Sequence, residues 1–201
     1  MIVLRSTAYL PPISYIAGCL HAQEIVVERF ETYPKQTLRN RCRILGPNGL
    51  QVLSIPVLKV HGNHTLTRDI RVSDTLPWQR SHWRSIETAY NNSPFFLYYK
   101  DEFENAFKQP ADLLLDINAH LLQTVFSILN INMKISFTED FLKNPEGMED
   151  QRHFSGTEYS TAGFDGQPYT QVFSPKHDFI PDLSIIDLIF NLGPEASGYL
   201  V

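Results

Sequence analysis

The sequence predicts an α/β fold, a mixed and partly parallel sheet with flanking helices and an antiparallel hairpin. Three observations carry that expectation. An apolar run at residues 2–10, helical spacing at 13–21 and a β-branched run at 25–28 give strand, helix, strand within thirty residues, the pattern of parallel strands joined by a crossover helix. Residues 36–45 then alternate in character, Pro47-Asn48-Gly49 supplies turn chemistry, and 50–57 returns as a second β-rich run, which together predict a hairpin. Apolar residues recur at helical period through 78–90, 95–107 and 111–129, before another β run at 133–137.

The 201 residues, 43% hydrophobic and without a shift of composition along the chain, read as one domain spanning 1–201. A net charge of -5 argues against a broad basic surface for duplex nucleic acid. Cys19 and Cys42 are the two cysteines, and Cys42 falls on the apolar side of its strand, so a reducing compartment is expected rather than a disulfide framework. No run reaches the roughly 20 apolar residues of a membrane span and no leader pattern opens the chain, so the expected location is the cytoplasm.

Pro11-Pro12 ends the first strand, because proline donates no ladder hydrogen bond. In 36–45 the alternation places Arg39, Arg41 and Arg43 on one face and Leu38, Asn40, Cys42 and Ile44 on the other. Guanidinium forks match phosphate oxygens, so Arg39 and Arg41 are candidates for holding a nucleotide-sugar or another anionic small molecule. Asn40 is the polar member of the inward face and must find partners there. His61 and His64, with Asp69 beyond, offer two imidazoles and a carboxylate. They lack a further ligand at helix or strand spacing, so the loop reads as solvated and no metal site is expected. Residues 68–72 predict a short strand.

Asp74 or Thr75 caps the next helix, with Pro77 in its first turn. Trp78, His82, Ser85 and Ala89 share one face, with Trp83, Ile86 and Tyr90 beside it. The inward His82 reads either as a general base or as a satisfied packing histidine, and Trp78 and Tyr90 are candidate substrate-binding neighbours. Arg80 and Arg84 fall on the opposite side, where Arg84 and Glu87 predict an ordinary surface pair. The aromatic cluster at 95–99 suits core packing, or stacking on a sugar or base. Residues 143–167 turn polar and rich in Gly, Ser, Thr and Asp, predicting a long loop or lid, and 169–173 predict one more strand. Near the C-terminus Ser184 and Asp187 imitate a capping box, and Gly193 closes the helix. No P-loop, G-x-G-x-x-G, G-x-S-x-G or zinc-spaced cysteine pair occurs, so no particular cofactor is indicated.

The segments YLPPISYI (9–16), KQTLRNRCRI (35–44), LSIPV (53–57), WQRSHWRSIETAYNNSPFF (78–96) and LSIIDLIFNLG (183–193) resemble the WbqC-like proteins. Family members often carry a QPxYLPW pattern, and here Ser6-Thr7 and Pro12 stand at its Gln, Pro and Trp positions. The resemblance implies surface-polysaccharide (O-antigen-type) biosynthesis, with Asn40, Arg41, Trp78, His82 and Tyr90 inside its most specific motifs. A weaker likeness is to nucleotidylyltransferase-type α/β folds, whose His-x-Gly-His element is absent here. Two classes of function follow. One is a transferase that moves an acyl or aminoacyl group onto an activated amino sugar, with His82 and Asn40 catalytic and Arg39, Arg41, Tyr90 and Trp78 binding substrate. The other is a non-catalytic partner of glycan enzymes.

Overall fold

The computed structural model describes residues 1–155 and 166–201. Strand β1 (Ile2–Ser6), helix α1 (Ile13–Ala17) and strand β2 (Glu24–Glu28) form the expected unit, with β1 and β2 parallel from Ile2↔Glu24 to Ser6↔Glu28. Hairpin β3 (Arg41–Gly46) and β4 (Gly49–Ser54) follows, then β5 (Val57–Leu58), which pairs with β6 (Arg71–Val72). Helices α2 (Trp78–Tyr90), α3 (Phe96–Lys108) and α4 (Leu114–Ile128) come next, then β7 (Lys134–Phe137) and β8 (Glu149–Asp150). The C-terminal part holds α5 (Ser174–His177), α6 (Ile185–Leu192) and α7 (Ala196–Tyr199).

The central sheet has four parallel strands in the order β7-β2-β1-β8. The chain therefore steps outward from β1 to β2 and β7, then returns to the other side of β1 as β8. Val3, Leu4 and Ile25 in the two middle strands are fully buried, as strands covered on both faces require. The continuous core runs from Tyr9, Ile13 and Ile16 through Ile44 and Ile55 to Trp83, Phe96, Phe103, Leu121 and Phe190. Within it, Phe190 receives Phe96 and Phe103 edge-on at centroid distances of 5.1 and 5.3 Å, a favoured geometry for aromatic rings.

Several expected boundaries move. The first strand stops at Ser6 rather than residue 10, because the Tyr9 amide bonds Leu38 and Leu10 takes a left-handed φ of 39°. The third strand begins at Arg41, not residue 36. Gln36 has φ 59°, and a turn closed by the Asn40 amide on the Thr37 carbonyl occupies the place of the expected extension. The stripe of Arg39, Arg41 and Arg43 is therefore broken, Arg39 lying in that turn. The hairpin forms its own two-stranded sheet.

The helix expected over 13–21 is limited to Ile13–Ala17, and Thr67–Asp69 forms a 3-10 turn ahead of β6. Pro77 is itself the N-cap of α2, without a side-chain cap from Asp74 or Thr75. Residues 169–173 form no strand. Of the expected lid at 143–167, residues 149–150 belong to the sheet as β8, 152–155 form a 3-10 turn, and 156–165 lie outside the described residues. No described helix is long and apolar enough to cross a membrane.

Candidate functional site

In an open parallel sheet, ligands bind outside the carboxyl ends of the strands, where the strand order reverses. Here the reversal lies between β1 and β8, and each strand delivers a polar side chain to that edge. Ser6 ends β1, Glu28 ends β2, Thr138 follows β7 and Arg152 follows β8. These groups are connected. The fully buried Glu28 carboxylate accepts from Thr138 Oγ1 (2.8 Å), the amides of Phe30 (2.9 Å) and Leu142 (3.0 Å), and Arg152 Nη1 (3.3 Å). Ser6 Oγ donates to Glu31 Oε2 (3.0 Å), and its contact with the Arg152 carbonyl is longer, 3.4 Å.

Arg39 closes the network. Its guanidinium grips Glu31 in bidentate fashion, Nε to Oε1 at 2.9 Å and Nη2 to Oε2 at 2.7 Å, and Nη2 also reaches Ser6 Oγ at 2.7 Å. Thr37 Oγ1 accepts from both the Arg39 amide and Nη1. The turn that displaces the start of β3 is thus what carries Arg39 into the interior. Glu28 and Glu31 each meet a guanidinium, which makes their burial tolerable, since an unpaired buried charge is strongly destabilising, and Arg152 also grips the partly exposed Asp150, Nε to Oδ1 at 2.9 Å and Nη2 to Oδ2 at 2.6 Å.

Asn40 and His82 meet next to this network. Asn40 Nδ2 donates to the Ile55 carbonyl (2.9 Å), and His82 bonds the preceding carbonyl, that of Ser54. The other ring nitrogen of His82 lies 2.8 Å from the Tyr9 hydroxyl, and Tyr9 hangs from Leu38 of the Arg39 turn. Burial pulls the imidazole down to about 4, so it is neutral near pH 7. A neutral ring that donates to Ser54 accepts the Tyr9 proton, so proton exchange at His82 passes through Tyr9. Trp78 packs edge-on against both rings, at 5.3 Å from His82 and 6.4 Å from Tyr9. Asn40 Oδ1 and Arg41 Nε are buried without a hydrogen-bond partner, as is the hydroxyl of Tyr33, within the field of Arg39 and Arg41.

Tyr90 lies elsewhere. It packs on Phe190 and faces Asp187, which is not the cap residue its spacing suggests. Ser184 sends its hydroxyl to the Leu10 carbonyl (2.8 Å) instead of capping α6. Asp187 Oδ2 accepts from Tyr169 (2.5 Å) and Gln171 (3.1 Å), and burial pushes its carboxyl up to about 6. The Tyr90 hydroxyl and Asp187 Oδ1 approach one another, but neither completes a well-formed hydrogen bond.

The first helix of nucleotide-binding α/β folds holds phosphate on its N-terminal amides. Here Asp182 occupies that position, accepting from the Ser14 amide (2.8 Å) and Ser14 Oγ (2.7 Å). Among the described residues, no group of three or more His, Cys, Asp or Glu side chains is arranged to hold a metal, and His61 and His64 lie in and beside a short 3-10 turn. Ser6, Glu28, Glu31, Thr138 and Arg152 were not singled out by sequence reasoning. The available signal was a polar residue closing each apolar β run, as Ser6 and Glu28 do.

A comparison with proteins of known sequence finds similarity to "Uncharacterized protein Rv1507c" of Mycobacterium tuberculosis (strain ATCC 25618 / H37Rv). It is 25% identical over 225 residues, covering 99% of this chain and 96% of that protein. No solved structure matches. The model of the WbqC-like protein family matches residues 7–155, which begin just after β1 and include the Arg39 turn, His82 and Arg152, and the chain belongs to that family.

Proposed function

We infer that this chain is an enzyme of surface-polysaccharide biosynthesis that acts on an activated amino sugar by acyl or aminoacyl transfer. The observation that carries the reading is the network in which all four parallel strands end, at the reversal of strand order. Such an edge, lined by paired carboxylates, guanidiniums and hydroxyls, suits a polar ligand that is cationic at one end and anionic at the other. Glu31, held in place by Arg39, then faces the sugar ammonium, and the Arg41 guanidinium faces the diphosphate. Asn40 offers its free amide oxygen to a sugar hydroxyl, and Trp78 backs the His82 ring.

The bound ammonium first releases one proton to solvent, and the resulting amine loses a second as its nitrogen bonds the acyl carbon and the donor's leaving group departs. In this reading Tyr9 receives that proton while passing its own to His82. The occupied amides of α1 support placing the diphosphate beside the Arg39 turn rather than on that helix. The test is a thermal-shift series with UDP- and dTDP-linked amino sugars, followed by mass spectrometry of each binder with acyl thioesters. A Tm rise together with a mass gain that His82→Gln abolishes is expected. Binding without transfer for any donor would favour the non-catalytic glycan-pathway reading, and absence of any Tm rise would contradict the site.

A further inference from the structure

A groove of about 810 Å³ separates the outer edge of β4 from the exposed face of α2, within the range of ligand-binding clefts. Its strand wall is β4 and the turn before it, and of β3 Gly46 alone lines it. The ladder fixes which backbone groups face it. In an antiparallel pair, opposed residues alternate between bonding each other and pointing outward. The Arg43 carbonyl is taken by the Ser184 amide and the Ser54 carbonyl by His82, so Arg43↔Val52 and Arg41↔Ser54 are outward-facing pairs. By the same alternation Leu50 and Val52 direct both N–H and C=O from the outer edge of β4 into the groove.

Leu50 and Val52 are also half exposed, at 49% and 50%, an edge of the kind that recruits another strand. The opposite wall is cationic. Arg80 and Arg84, one helical turn apart on α2, line the groove, and no lining residue is acidic. The expected pairing of Arg84 with Glu87 is absent, although the chain as a whole carries a charge of -5. Gln51 Nε2 donates to Ser85 Oγ (3.1 Å), an exposed bond that links the two walls.

We propose that this groove receives an extended acidic segment of a partner polypeptide, which adds to the β4 edge and lays its carboxylates on Arg80 and Arg84. Backbone bonding to Leu50 and Val52 requires a polypeptide, and the paired guanidiniums select acidic side chains at alternate positions. A sugar or a free phosphate uses the arginines but has nothing to offer the strand edge.

The test is fluorescence anisotropy on the full chain with a labelled (Val-Glu)4 peptide, its (Val-Lys)4 counterpart, and a (Val-Glu)4 peptide N-methylated at alternate residues. The acidic peptide is expected to bind at least tenfold more tightly than either control. R80E/R84E is expected to weaken it tenfold or more. V52P removes one outward donor without touching the bonds to β3, because proline is tolerated at such edge positions, and the same loss is expected. Should V52P not fold, the N-methylated peptide reports the complementary bonds, from peptide N–H to the outward carbonyls of β4, on the unaltered chain. Equal binding of the N-methylated peptide, or full displacement by millimolar tripolyphosphate without an effect of V52P, would reduce the groove to an anion site and overturn the proposal. Concentration-dependent dimerisation abolished by V52P would make the occupant a second copy of this chain, and would overturn it as well.

Discussion

Asp187→Asn should stabilise the protein near neutral pH, although it removes a buried carboxylate with two hydrogen bonds. The native carboxyl is held at about 6 against an ordinary value of 3.8, with burial as the largest cause. The folded state therefore keeps the proton more readily than the unfolded state. Between pH 4 and 6 stability falls as pH rises, and above 6 the ionised buried group opposes folding by about 3 kcal/mol, at about 1.4 kcal/mol per tenfold change in proton affinity. An asparagine with its oxygen at the Oδ2 position keeps the bonds from Tyr169 and Gln171, and its amide then faces the Tyr90 hydroxyl, which lacks a partner. The variant removes the ionisation penalty and turns the unpartnered Oδ1 position into a donor toward Tyr90. Urea denaturation of both proteins from pH 4 to pH 8 tests this: the difference should be near zero at pH 4 and about 3 kcal/mol in favour of the variant at pH 7. The comparison must be a difference, because His82 contributes the opposite slope over nearly the same window. A variant that is less stable than the parent at pH 7, or a difference independent of pH, would refute the reasoning.

His82, held at about 4, contributes stability above its unfolded value of 6.5 that is lost as pH falls toward 4, up to about 3 kcal/mol; its ring signals in NMR should not titrate between pH 8 and pH 5.5. Arg39→Met leaves the Glu31 carboxylate without its bidentate partner and should lower stability by about 3 to 5 kcal/mol in chemical denaturation, against about 1 kcal/mol for Ser6→Ala. Gly193 closes α6 at φ 55°, and an added Cβ there would stand 2.4 Å from the Phe95 ring, so Gly193→Ala should lower stability by about 3 kcal/mol.

The parts of the fold legible in the sequence were those set by local periodicity. The β1-α1-β2 unit, the hairpin around Pro47-Asn48 and helices α2 to α4 announce themselves through alternation, turn residues and helical stripes. What failed was the assumption that alternation continues wherever the side chains allow it. Leu38 and Asn40 fit an inward strand face equally well as residues of a turn, and the left-handed Gln36 leaves no mark in the pattern. Arg39 shows the consequence. Its partners lie eight residues away at Glu31 and 33 residues away at Ser6, a pairing that only the parallel sheet creates. Asp187 failed for a related reason, since Ser-x-x-Asp spacing fits a cap but the Ser184 hydroxyl is claimed by the Leu10 carbonyl, in the segment between β1 and α1. Asn40 and His82, by contrast, do lie on consecutive carbonyls, next to the buried charge network.

Hydrogen–deuterium exchange of the intact chain with and without a saturating nucleotide-linked amino sugar tests the carboxyl-edge site most directly. Slowed exchange is expected in residues 6–10, 28–41 and 150–153, the segments that bring Ser6, Glu28, Glu31, Arg39 and Arg152 together, with 47–52 unchanged. Protection confined to 47–52 and 77–88, or protection at the edge that survives in Arg39→Met, would contradict the account.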